Sequence, residues 1–327
     1  MNYISKYQKI QNMNRILNLK PVSIFIFVMF IICLPTCSLN AQETQENVIT
    51  FDIGSFVITL LSEGQQQGKP DILLGATEDM LRQTAPSGTF PNAVNAFLVK
   101  TEDKIILFDT GFGQKLFYNL NSLGFTSNDI DAVVLTHMHG DHIGGLLKDN
   151  EKKFPNSELY IPQPEYDYWM NDEEMQKLPE NRRSSFINAR KVIEAYKKQL
   201  NLFVPGEVDK VHELFPGIRS IAAYGHTPGH TGYLLESDLE SNDGNIFIWG
   251  DIAHAMAVQM PYPQVAVTYD VDSVKAIESR QKILKYLSEN KIRVAGMHIQ
   301  FPAIGDISKN KTEDGYKFVL ICECEGR

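Results

Sequence analysis

The chain has 327 residues, 43% of them hydrophobic and 22% charged, with a formal net charge of -9. This is ordinary globular composition, with length enough to bury a large core in one or two domains, and it excludes disorder as the default state. The acidic balance, with a pI near 5.4, excludes a nucleic-acid or anionic-membrane surface, because such partners are met by a basic patch and none is found. Small-molecule substrates, neutral or modestly charged, remain open as partners, as does a homodimer.

At the N-terminus Lys6, Lys9, Arg15 and Lys20 precede the apolar run VSIFIFVMFIICLP and the polar stretch TCSLNAQETQEN. That is the charged, apolar, cleavable order of a secretory signal. The apolar core, about 14 residues, is short for a membrane span of roughly 20. The expectation is a signal peptide over 1–41, cut near Ala41, and a single mature domain over 42–327 that is periplasmic or secreted. A signal-anchor is the rival reading. Lipid attachment at Cys37 is a minor alternative, since Pro35 and Thr36 fit a lipoprotein site poorly. Removing the signal leaves Cys322 and Cys324, which sit too close together for an unstrained bridge and make no disulfide framework.

Beyond it, apolar runs bounded by Gly, Asn, Asp or Pro predict strands: VITFDIGSFVITLL, NAFLVKTEDKIILFDTG, AVVLTH, LYIP, IRSIAAYGH, GYLLES, IFIWGD and RVAGMH. Two stretches carry helical spacing. One places Phe186, Ala189, Ile193, Tyr196 and Leu200 on one face; the other does so with Val274, Ile277, Leu284 and Leu287, with Asp272 as its N-cap. The longest candidate insertion is QPEYDYWMNDEEMQKLPE, in which NDEE is expected to be a solvated loop. No internal repeat is visible, and the fold class is mixed α/β in one domain.

Chemistry concentrates in VVLTHMHGDHIGG. His137 and His139, two apart on an extended segment, point to one side and can share an ion. Asp141 and His142 follow as the chain turns and can serve a second. GHTPGHTGY adds His230, FIWGDIAH adds Asp251 and RVAGMHIQFP adds His298, each near the end of an apolar strand. Their types suit a bimetal centre: His137, His139 and His230 for one ion, Asp141, His142 and His298 for the other, and Asp251 as the bridge. Imidazole with carboxylate suits zinc, manganese, iron or cobalt, with zinc the first expectation.

H-x-H-x-D-H followed by Gly-His, Gly-Asp and His resembles the metallo-β-lactamase-fold hydrolase superfamily, over about Val48 to Ile307. The resemblance implies a four-layer αβ/βα sandwich with the metals along one edge. ILFDTGFG is similar to that superfamily's first motif, so Asp109 is expected to support the ligands from behind. NAFLVKTEDKIILFDTGFG, GHTPGHT, WGDIAHAMAVQMPYP and MHIQFPAIG resemble the branch holding methyl parathion hydrolase and related exported lactonases and aryl esterases. His254 stands where the lactonases carry a tyrosine, three residues after the bridging aspartate, which implies a pocket or catalytic role.

The resulting expectation is a hydrolase in which a metal-bridging hydroxide attacks an ester, lactone or phosphotriester and Asp141 relays a proton to the departing oxygen. His226 is either a donor orienting a ligand or a solvent-facing turn residue; Phe301 and Trp169 are candidate pocket walls. Thioester or β-lactam hydrolysis is the alternative chemistry, although no basic cluster for a glutathione-like anion is visible. A metal-binding protein without turnover is the non-enzymatic alternative.

Overall fold

Period-two alternation sends neighbouring residues to opposite faces of a sheet, and here both faces are buried. The computed structural model describes residues 47–210, 212–237, 244–310 and 315–321, all within the unit Glu43–Arg327. The expected signal peptide, Cys37 and the Cys322/Cys324 pair lie outside the described residues.

The first sheet orders seven strands as they occur in the chain: β1 (Val48–Ile53), β2 (Phe56–Gly68), β3 (Phe90–Lys100), β4 (Ile105–Phe108), β5 (Ala132–Val134), β6 (Glu158–Pro162) and β7 (Leu200–Phe203). Pairing is antiparallel from β1 to β4 and parallel from β4 to β7. The second sheet does the same with β8 (Glu213–Phe215), β9 (Ile218–Ala222), β10 (Thr231–Leu235), β11 (Ile246–Ile248), β12 (Arg293–Ala295), β13 (Ile304–Lys309) and β14 (Tyr316–Leu320). Only β11 and β12 pair in parallel there. Between the strands lie α1 (Glu78–Thr84), α2 (Leu116–Ser122), α3 (Gly140–Ile143), α4 (Gln163–Met170), α5 (Asp172–Lys177), α6 (Ser184–Tyr196), α7 (Met256–Gln259) and α8 (Ser273–Glu289).

Ile58, Leu60, Phe97, Val99, Ile106, Phe108 and Val134 share one face of the first sheet and meet the face of the second that carries Tyr233 and Ile248, with the Phe108 and Tyr233 rings 5.0 Å apart. Their chain neighbours Leu61, Ala96, Leu98, Leu107 and Val133 turn the other way, onto Leu116 and Leu120 of α2, Trp169 of α4 and Phe186 and Tyr196 of α6. On the opposite face of the second sheet, where Leu234, Phe247 and Val294 share a register, α8 adds Ile283, Leu284 and Leu287 to the buried cluster. The order helix, sheet, sheet, helix is the four-layer αβ/βα sandwich expected from the motifs.

Four local expectations need correction. α6 ends at Tyr196, and Leu200 opens β7 instead of extending the helical stripe. Val274 is 66% exposed, because the Asp272 cap, whose carboxylate accepts the Lys275 N–H at 3.0 Å, sets a phase that buries Ala276, Arg280, Ile283, Leu284 and Leu287. NDEE is helical: Asn171 caps α5, accepting the Glu173 and Glu174 N–H groups at 2.8 and 3.3 Å, and the acids that follow suit a helix N-terminus. Finally, β2 runs on through SEGQQQG to Gly68, past a bulge between Ser62 and Gly64, because β3 supplies a ladder partner as far as Phe90. The polar composition of that stretch hid it.

The strands also fix where function sits. His137, Asp251 and His298 each follow by three residues the last residue of a strand in a parallel pair: Val134 of β5, Ile248 of β11 and Ala295 of β12. Ligand sites of α/β sheets form at such carboxyl ends.

Candidate metal centre

Past β5 the chain runs without regular structure from Leu135 to Met138, and His139, with extended backbone, caps the one-turn helix α3, which carries Asp141 and His142. From the second sheet come the turn between β9 and β10, with His226 and His230, and the segments after β11 and β12, with Asp251 and His298.

The first donor group is His137, His139, His226 and Asp251. His139 Nδ1 lies 3.0 Å from both His137 Nε2 and His226 Nε2. Asp251 Oδ2 is 3.6 Å from His137 Nε2 and 3.1 Å from His226 Nε2. Lone pairs facing each other so closely require a cation or protons between them, and a tetrahedral zinc with bonds of about 2.05 Å spaces its ligands by about 3.3 Å. A second group joins Asp141, His142 and His298. Asp251 Oδ1 is 3.2 Å from both His142 Nε2 and His298 Nε2, while Asp141 lies 3.8 and 3.6 Å from the same two atoms. One carboxylate therefore faces the first group through Oδ2 and the second through Oδ1.

The rear nitrogens of His142, His226 and His298 are anchored to oxygen. Asp109 Oδ2 accepts from His142 Nδ1 and from the Thr136 hydroxyl, each at 2.7 Å, while Oδ1 accepts the Thr136 N–H at 2.8 Å. His226 Nδ1 donates to Asp270 at 2.8 Å, and His298 Nδ1 to the Ala93 carbonyl at 2.9 Å. With Nδ1 committed, these three rings present Nε2 to the centre, which is how proteins orient imidazole ligands, whereas His139 presents Nδ1. His142 Nε2, His298 Nε2 and Asp251 Oδ1 are buried without a hydrogen-bond partner. Buried polar atoms are rarely left so, and this donor set fits divalent cations.

His226, not His230, completes the first group. His230 donates from Nδ1 to the Ala223 carbonyl at 2.9 Å and accepts the Asp251 N–H on Nε2 at 2.9 Å, so neither nitrogen is free. It positions Asp251. The two rings of GHTPGH are both buried and 5.7 Å apart, and sequence alone does not say which offers a nitrogen to the donor group. His254 stands at the rim of both groups, with Nε2 2.8 Å from Asp251 Oδ2 and its ring stacked on His298 at 4.8 Å.

Charge follows the same geometry. Burial, reinforced by neighbouring rings, depresses His139 and His230 to about 3. Burial also acts on His226, but the bonds to Asp251 and Asp270 outweigh it and push the ring up to about 9. Asp251, deeply buried, is held well below the usual carboxylate range by the surrounding imidazoles.

Residues 89–290 match the metallo-beta-lactamase superfamily. The chain belongs to that superfamily. Among curated relatives, an N-acyl homoserine lactonase of Bacillus sp is 23% identical over 168 residues, spanning 43% of this chain and 58% of the relative. A probable metallo-hydrolase of Mycobacterium tuberculosis is 23% identical over 167 residues, 44% of this chain and 52% of the relative. This superfamily member thus spans little more than half the length of those relatives. Two solved structures align more broadly. The hydrolase AbOPH of the beta lactamase superfamily superposes with a TM-score of 0.73 at 27% identity, over 84% of this chain and 98% of that one. AidC, a dizinc quorum-quenching lactonase, gives 0.75 at 25% identity, over 84% and 98%.

The donors of this metallo-β-lactamase-fold chain open into a cleft of about 680 Å³, walled in part by Ile72, Phe112, Tyr269, Lys69, Arg182 and Ser185. Trp169 is not among the walls: it is buried behind His139, edge-on to that ring at 5.8 Å, with its N–H given to Glu165 at 2.6 Å. Phe301 likewise packs, partly buried, against the larger hydrophobic core cluster, and its N–H donates to Gln65 Oε1 at 2.9 Å. Tethering to His298 in sequence does not aim its ring at the cleft. Phe112 and Tyr269, 48% and 47% exposed, are the cleft's aromatic side chains. Phe112 lies inside the DTGFG motif, a signal open to a reader; Tyr269 had none.

Proposed function

We propose that this metallohydrolase holds two divalent ions, zinc first among them, and cleaves an ester, lactone or phosphotriester after export from the cytoplasm. The observation that carries the reading is Asp251, whose two oxygens face separate donor groups at 3.1 and 3.2 Å. His137, His139 and His226 would hold one ion, Asp141, His142 and His298 the other, with Asp251 shared. Ions bound there supply Lewis acidity and bring the pKa of a shared water toward neutrality.

The remaining steps belong to side chains. Asp141 is the ligand carboxylate with solvent access, its side chain 26% exposed, and so is placed to carry a proton toward a leaving oxygen. His254 hydrogen-bonds Asp251 and steadies its orientation; Phe112 and Tyr269 cover the apolar part of the substrate and exclude water. The D251A variant is expected to keep roughly one metal per chain and lose at least about 100-fold in kcat/KM. Two metals with full turnover of an acyl lactone and an aryl phosphotriester would refute the reading. Comparing those two substrates with zinc and with manganese assigns the electrophile, a tenfold preference corresponding to about 1.4 kcal/mol in transition-state binding.

A second reading rests on Lys69 and Arg182, which the fold brings to the same cleft from distant segments. They supply the positive charge that no run of sequence displayed, and they favour an acyl or thioester substrate bearing a carboxylate. A substrate pair differing only in carboxylate against carboxamide tests it: equal KM values, or an R182Q variant with unchanged selectivity, discard it.

A further inference from the structure

Glu165 lies in the first turn of α4, is fully buried, and touches none of the donor atoms of either group. Its oxygens are nevertheless completely engaged. Oε1 accepts the Met138 N–H at 2.9 Å and the Trp169 indole N–H at 2.6 Å. Oε2 accepts the Thr227 hydroxyl at 2.6 Å and the Gly229 N–H at 3.0 Å. Met138 stands between His137 and His139; Thr227 and Gly229 stand between His226 and His230. One carboxylate, carried on a helix of the outer layer, thus joins the two backbone segments that bring three imidazoles together from opposite sheets. The approach is close enough that a Cβ on Gly229 would fall 2.0 Å from the Glu165 backbone nitrogen. A buried acid is tolerated where such donors surround it.

We infer that Glu165 is a positioning residue: it clasps the His137–His139 segment to the His226 turn and so sets the affinity of the first metal position alone. The second position is anchored without it, through Asp109 on His142 and the Ala93 carbonyl on His298. Partners of metal ligands commonly contribute 10- to 100-fold in affinity. Glutamine at 165 keeps the shape but turns an NH2 group toward two donors, which removes two of the four hydrogen bonds.

The inference rests on the two-metal reading, and the test separates them. Metal-stripped full-length protein would be titrated with Co(II) against a competing chelator, following the visible ligand-field bands, with H139A marking which step belongs to the first position. For E165Q, the first dissociation constant is expected to rise about 10- to 100-fold with altered bands, and the second to move by no more than roughly threefold. T227V should shift the same step less, and T227S should restore it, which keeps the inference testable if E165Q fails to fold. Both steps moving together, or neither moving, overturns the clasp. Wild-type protein taking up a single equivalent overturns the two-metal reading instead, and the response of that one step to T227V then decides whether Glu165 acts on it.

Discussion

His226 and His230 share one Gly/Pro turn, and their nitrogens serve different ends: one ring faces His139 and Asp251, the other is bonded at both nitrogens to backbone. The H226A variant is therefore expected to lose the metal of the first group. H230A is expected to retain both metals at weakened affinity while losing about 1–3 kcal/mol of stability, because a buried N–H and C=O are left unsatisfied. Metal analysis and urea unfolding, run side by side, check both. The opposite result would restore His230 as the ligand. Titration adds a second expectation for metal-stripped protein. His226, raised to about 9 from 6.5, stabilises the fold fully below about 6.5 and ceases to do so as pH climbs through 9. His230, depressed to about 3 from 6.5, is neutral in the fold, so stability drains away as pH falls below 6.5 and the unfolded ring takes up its proton. The urea midpoint of stripped protein should peak near neutrality and decline on both sides; a midpoint still rising at pH 9 contradicts the assignment.

At the scale of elements, short strands aim the ligands and turns complete the aim. Gly250, between β11 and Asp251, has φ 60, a left-handed conformation that costs other residues about 1–2 kcal/mol. A Cβ there would also meet His230 Nε2 at 2.4 Å, the atom that holds Asp251 in place. G250A should consequently destabilise by more than the backbone cost alone and weaken metal binding, measured by thermal melting with and without metal. A melting loss with unchanged metal affinity would confine Gly250 to a conformational role. Arg280 of α8 acts in the same region, donating to the carbonyls of Ile252, Pro263 and Val265 at 2.6, 2.9 and 2.7 Å. It explains why a guanidinium sits in a stripe otherwise read as apolar.

Across the whole molecule, the donor atoms come from both sheets: His137, His139, Asp141 and His142 follow β5 of the first, and His226, Asp251 and His298 follow strands of the second. Bound metal would therefore cross-link the two halves of the sandwich and exist only when they are docked. Ligand present at 100 times its dissociation constant stabilises by about 2.7 kcal/mol, which for a domain of this size raises the melting temperature by roughly 5–10 °C. Chelation should lower the melting temperature by that order, and reloading with zinc should restore it. No change on chelation would mean that the donors bind no metal under those conditions.

The class of fold and most of the donor set are legible along the chain, because strand alternation and ligand spacing are local properties: His137-x-His139-x-Asp141-His142 is written in one segment. Asp109 was readable from its motif. Tertiary structure alone decided which histidine of GHTPGH faces the centre, since that depends on where Ala223, Asp251 and Asp270 place their bonding groups. It also decided that Trp169 and Phe301 serve cores, that Lys69, Arg182 and Tyr269 meet at one cleft, and that Glu165 joins two distant turns. Each of these is a contact between segments far apart in the chain, and burial and hydrogen-bond satisfaction are settled only when those segments are packed.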